Sequence, residues 1–133
     1  MALVINMVQH ALSGEQEKEL GKLGRIECGR EILPSIYPKI ANSPNTTLGI
    51  RQLVNELYTN LLDLSEKEEV YVHLPLGSPA FMFKLGMVIG LHGRWKNMKF
   101  VFSHSERVSI DEKQEDGSVV KRSVFKFSHL IEL

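Results

Sequence analysis

The stretch VYVHLPLGSPAFMFKLGMVIGLHG, Val70 to Gly93, decides the class of fold. It opens on a mostly apolar run, VYVHLPL, of the length and composition of a strand covered on both faces. Gly77-Ser78-Pro79 then breaks the run. Ser78 is suited to cap a helix, and Pro79 at the first helical position gives up no hydrogen bond. From Ala80 onward the chain is apolar over most of its helical surface, which predicts a largely buried helix. A buried strand passing through a tight turn into a buried helix is the repeating unit of an α/β sheet.

Outward from this stretch the alternation continues. Downstream, MKFVF (Met98 to Phe102) predicts the next strand. Upstream, Ile50, Leu53, Val54, Leu57, Tyr58 and Leu61 recur three and four residues apart, one face of an amphipathic helix capped by Thr46 or Thr47. Gly29 to Asn45 carries Pro34, Pro38 and Pro44, so no long regular element is expected there. Arg25 to Cys28 reads as a brief strand. Ser13 followed by Gln16 matches a capping box for a helix bearing Leu20 and Leu23 and stopped by Gly24. Ala2 to Val8, rich in Val and Ile, supplies the first strand. Beyond the fourth strand, residues 106–133 alternate about Asp116-Gly117, a strong hairpin signal, and predict a C-terminal β-ribbon. The order β-α-β-α-β-α-β plus ribbon implies one domain over residues 1–133, a doubly wound, mostly parallel sheet with an antiparallel extension.

Composition narrows the functional classes. Sixteen basic residues balance 16 acidic ones, so no overall field draws the chain to DNA or to an anionic membrane. The single cysteine, Cys28, rules out an internal disulfide and suits a reducing cytoplasm. The N-terminal MALVINMVQH lacks the basic lead-in of a secretory signal, and the apolar stretch Pro79 to Leu91 is too short to span a membrane. A cytoplasmic protein is expected.

In an open parallel sheet, ligands bind beyond the carboxyl ends of the strands. The first strand delivers Asn6, Gln9 and His10 to that edge, the third delivers Gly77 and Ser78, and the fourth delivers Ser103, His104, Ser105 and Arg107 in what reads as a turn. The helix start at Ser78 offers free N–H groups and a positive dipole end to a phosphate, or is an ordinary capped start. Arg107 either grips phosphate through its forked guanidinium or pairs with Glu106 or Asp111 on the surface. His10 and His104 are the candidates for proton transfer. His73, inside a strand, and His92, at a helix end, read as structural, and His129 as an exposed ribbon position. No metal motif, Walker loop, GxGxxG fingerprint or GxSxG elbow is present.

Three segments resemble one family. VINMVQHALSGEQ, LPLGSPAFMFKLGMVIGLHGR and SHSERVSIDEKQEDGSVVKRSVFKFSHLIEL are similar, in that order, to the strand and His-bearing turn, the Pro/Gly turn with its apolar helix, and the C-terminal ribbon of small CRISPR-associated Csx-type proteins of type III systems. That group includes ring nucleases and other binders of cyclic oligoadenylates. The resemblance implies a Rossmann-like (CARF-like) domain with helices on both faces, and a homodimer holding a cyclic oligoadenylate, cyclic tetra-adenylate above all, across its two-fold axis. It implies metal-free, cofactor-free cleavage by the ribose 2′-hydroxyl, which switches off an antiviral signal. On this expectation His10 and His104 are catalytic, while Asn6, Gln9, Gly77, Ser78, Ser103, Ser105 and Arg107 bind the ligand. The alternative is a protein that sequesters the messenger uncut, or senses it for a partner.

Overall fold

The computed structural model describes residues 2–92 and 97–133. β1 (Ala2–Asn6) leads to α1 (Gly14–Gly21), whose start is closed by the expected capping box: the Gln16 N–H donates to Ser13 Oγ at 3.1 Å and the Ser13 N–H to Gln16 Oε1 at 2.9 Å. β2 (Gly24–Cys28) comes next, then two short helices, α2 (Gly29–Ile32) and α3 (Tyr37–Ala41), in the proline-punctuated segment. α4 (Thr47–Lys67) starts at Thr46, whose hydroxyl accepts from the Gly49 N–H, and buries Leu53, Val54, Leu57 and Leu61. β3 (Val70–Leu74) is buried at every residue and ends at a cis Leu74–Pro75 bond. α5 (Pro79–His92) begins at Ser78, whose Oγ accepts from the Phe81 N–H at 3.2 Å. The Gly93-Arg94 end of the apolar-helix segment lies outside the described residues.

Five strands form one sheet in the order β2-β1-β3-β4-β5, where β4 is Met98–Lys113 and β5 is Val119–Glu132. The first four run parallel and β5 is antiparallel to β4. From β1 the chain crosses to β2 on one side, then returns past β1 to β3, so the strand order reverses between β1 and β3. In doubly wound sheets that reversal opens a crevice at the carboxyl ends of the two strands.

Period-two alternation divides the core between the faces. Leu3, Ile5, Val70, Val72, Leu74, Met98 and Phe100 pack with α4, α5 and the α2–α3 segment. Val4, Tyr71 and Val101 pack with Leu20 of α1 on the opposite face. The sheet is therefore covered by helices on both sides, as the order of elements implied.

One expectation fails. Ser103 to Arg107 is not a turn: β4 runs unbroken from Met98 to Lys113, and its pairing with β5 begins at Val101, five residues before the expected ribbon. The polar residues alternate through a strand whose backbone bonds come from β5, so side-chain polarity does not interrupt it. The only break among the described β4–β5 pairs is a bulge between His104 and Ser105, where the register with β5 shifts. The turn falls at Asp116-Gly117 as expected. There Gly117 adopts φ +87° and Asp116 Oδ1 accepts from the Ser118 N–H and hydroxyl.

Candidate functional site

On the α1 face, the alternation that points Val4, Tyr71 and Val101 inward also points Asn6, His73 and Ser103 the same way, two residues further along each strand. Asn6 lies level with His73 in the β1–β3 pairing. The result is a hydrogen-bonded chain across three strands: Asn6 Oδ1 to His73 Nδ1 at 2.8 Å, and His73 Nε2 to Ser103 Oγ at 2.7 Å. Gln16 extends it from the first turn of α1, its Nε2 donating to Ser103 Oγ at 3.1 Å while its Oε1 completes the capping box. One side chain thus closes a helix end and anchors that helix to the sheet.

The proton positions derive from the donors available. Asn6 Oδ1 can only accept, so His73 carries its proton on Nδ1. A neutral ring then accepts at Nε2, and the Ser103 hydroxyl is the donor. Neutrality is enforced by the surroundings. His73 is fully buried, and desolvation, with a smaller contribution from the charge of His10, lowers its pKa from 6.5 to about 4. Among the described residues no buried side-chain polar atom lacks a partner, so the chain is complete within one subunit. What it presents outward is the half-buried Ser103 hydroxyl and the half-buried Asn6 amide. Both are held in fixed orientation at the carboxyl ends of neighbouring strands.

The order Ser–His–Asn is that of a nucleophile, a base and an orienting group. The electrostatics argue against that use. A serine nucleophile needs its histidine to take up a proton during attack, and the ring nitrogens here meet an amide and a hydroxyl, neither of which carries the charge that would stabilise an imidazolium. The arrangement instead suits a rigid hydroxyl whose proton is committed to His73 and whose remaining lone pair accepts from, and so orients, a bound ligand.

The other expected residues fall into three places. Gln9 and His10 are exposed just past β1, with His10 close enough for its charge to bear on His73. Gly77 and Ser78 lie at the start of α5, where Gly77 has φ +85°. A Cβ there would stand 2.9 Å from Ser43 Oγ and 3.0 Å from Ile40, so the space beside this glycine is filled by the end of α3 and the connection to α4. Ser43 Oγ also accepts from the Ser78 N–H at 2.9 Å, which occupies one of the donors expected to meet a phosphate. Ser105 and Arg107 continue along β4, with the Arg107 guanidinium 5.1 Å above the Phe125 ring of β5. His104 is exposed and, by strand alternation, points away from Ser103; its ring lies 5.1 Å from that of His129.

The structure therefore joins Asn6 and Ser103 through His73 and sets His10 near them, whereas His104 belongs to the opposite side of β4. Two members of the chain, His73 and Gln16, were not among the expected site residues. The signal for His73 was present: it is a lone imidazole in the otherwise apolar strand VYVHL, in phase with Asn6 and Ser103 once the strands are aligned.

Among the described residues no group of three or more His, Cys, Asp or Glu side chains could hold a metal ion, and no helix is long and apolar enough to cross a membrane. The chain matches no curated protein and no solved structure. Residues 2–130 do match the family described as "Uncharacterized protein MJ1673 family". That match spans nearly the whole of the 133 residues, and the chain belongs to the MJ1673 family.

Proposed function

We propose that this Rossmann-like, CARF-like domain binds a cyclic oligoadenylate at the carboxyl ends of β1, β3 and β4 and opens the ring by attack of the ligand's own 2′-hydroxyl. The observation that carries the reading is the Asn6–His73–Ser103–Gln16 chain at the reversal of strand order, where such sheets bind nucleotides. Three resembling segments of sequence name the ligand class. In this reading Ser103 and Asn6 hold the ribose-phosphate backbone so that the 2′-oxygen lies in line with the scissile bond. Alignment of this kind accounts for much of the acceleration in intramolecular attack. His10, exposed and two residues past Val8, exchanges protons with the attacking or leaving oxygen. Gln9, Ser105 and Arg107 contact the remaining phosphates, and a two-fold axis supplies each group twice to a symmetric ring.

A second reading, binding without cleavage, is favoured by one feature. His104, the other acid/base candidate, lies beside His129 on the far side of β4 from Ser103, so of the two candidates only His10, whose charge bears on His73, stands near the chain.

The test is incubation with cyclic tetra-adenylate in the presence of EDTA, ligand in excess, with products separated by chromatography. Repeated turnover to linear fragments is the expected result, and His10→Ala should slow it ~100-fold or more while leaving affinity unchanged. Stoichiometric retention of intact ligand would replace cleavage by sequestration. Absence of both binding and cleavage would overturn the assignment of this site.

A further inference from the structure

α5 is apolar on the side it buries and also on the side it exposes. Phe81, Leu85 and Val88 face the core, while Phe83, Met87 and Leu91 stand outward at 74%, 45% and 81% exposure. Gly86 and Gly90 lie between them on the same outward stripe. A Cβ added to either would meet nothing within 4 Å. Glycine in an exposed helix interior weakens the helix relative to alanine, and no described residue takes up the space these two leave. Of the outward residues 83, 84, 86, 87, 90 and 91, Lys84 alone is ionisable, at the edge of the stripe beside Phe83 and Met87. The stripe continues into an open apolar groove of ≈ 680 Å³ lined by Pro75, Pro79, Met82 and Phe102 and closed by Leu133, itself 76% exposed.

We propose that this stripe is the surface on which two copies of the chain associate, their α5 helices crossing at Gly86 and Gly90. Two glycines one turn apart let helix backbones approach closely, as in small-xxx-small crossings. The large side chains Phe83 and Leu91, on either side of that notch, then fill the angle where the helices diverge. A second copy is the occupant because the stripe is apolar but for Lys84 at its edge and offers no charge pattern for an unlike partner to match. Its extent fits as well. At roughly 150–200 Å² for a large exposed side chain, Phe83, Met87, Leu91 and Leu133 give on the order of 500 Å². With the rim of prolines and Met82 the patch approaches the ~800 Å² per partner of a standard stable interface. Apolar patches at the upper end of what monomers expose are often functional surfaces. α5 covers the face of the sheet opposite the Asn6–His73–Ser103 chain, so this interface is independent of the proposed ligand site.

Sedimentation velocity over a dilution series, without ligand, tests the surface. The wild-type chain should be a dimer. Gly90→Leu and Phe83→Glu should each weaken the dimer ~30-fold or more, the effect of losing a central anchor. Gly90→Leu should at the same time raise the melting temperature of the dilute, monomeric protein, because it removes a helix glycine from open space; that rise shows the variant has folded. In a Cys28→Ser background, Gly90→Cys should form a disulfide between equal positions of two copies. A wild-type chain that stays monomeric at the highest concentration overturns the proposal, as does a dimer untouched by both variants. Vesicle binding by a monomer, lost in Phe83→Glu, overturns it in favour of a lipid surface. A dimer that binds no cyclic oligoadenylate upholds the interface and sinks the functional reading. A monomer that binds it does the reverse.

Discussion

Burial holds the His73 ring neutral in the folded protein down to about pH 4, while in the unfolded chain the same ring takes up a proton near 6.5. Between those values the unfolded state binds more protons, so stability rises with pH across the window. The contribution is complete above 6.5 and is lost as pH falls toward 4. Each tenfold difference in proton affinity corresponds to ~1.4 kcal/mol, so the loss amounts to about 3 kcal/mol. Urea denaturation at a series of pH values between 7 and about 4 should show this slope. His73→Gln should flatten it, at the expense of stability at neutral pH, because Asn6 and Ser103 are then imperfectly paired. A wild-type profile that stays flat over the window would mean the ring is hydrated in solution. The same burial explains why sequence led away from this residue. A histidine inside a strand is ordinarily structural, and here it is, yet its partners lie 67 and 30 residues away. Only the register of three strands reveals that Asn6 and Ser103, chosen from their strand ends, share one imidazole.

Local signals decided the elements that close on themselves. The Ser13–Gln16 box, the Ser78-Pro79 helix start and the Asp116-Gly117 turn each depend on residues within a few positions, and each formed as its sequence implied. The continuity of β4 could not be read this way. Ser103 to Arg107 has the composition of a turn, but an antiparallel partner supplied from the C-terminal ribbon supports its backbone whatever its side chains. The β3–α5 turn shows how tightly an element can be specified. Gly77 combines a left-handed backbone with a wall formed by Ser43 and Ile40, so Gly77→Ala meets both strain and a clash. A loss of about 1–3 kcal/mol is expected, read as a lowered urea midpoint with unchanged slope. A shift within error would show that this wall yields.

At the scale of the molecule, the order of elements and the covering of both faces were legible because apolar periodicity states which residues must be buried. The site was legible only in outline, since topology fixes the edge but not the pairing across it. The structure also divides the chain by burial. β1 and β3 lie within the packed sheet, whereas the described residues of β4 and β5 beyond the bulge are mostly exposed. A two-stranded ribbon without a covering layer is marginal in water. Backbone amides of residues 107–125 should therefore exchange with deuterium orders of magnitude faster than those of β1 and β3. Protection of the ribbon equal to that of the sheet would require something to cover it in solution.

The chain of Asn6, His73, Ser103 and Gln16 has a consequence for descent as well as for chemistry. A buried polar group deprived of its partner costs more than the bond it made was worth, whereas replacing a whole set by apolar side chains of similar shape can be nearly neutral. Lineages drifting at any one of these positions thus pass through a less stable ancestor, while concerted exchange avoids it. The four positions should be inherited together or lost together across the family, a single heritable character dispersed over four separate stretches of the gene.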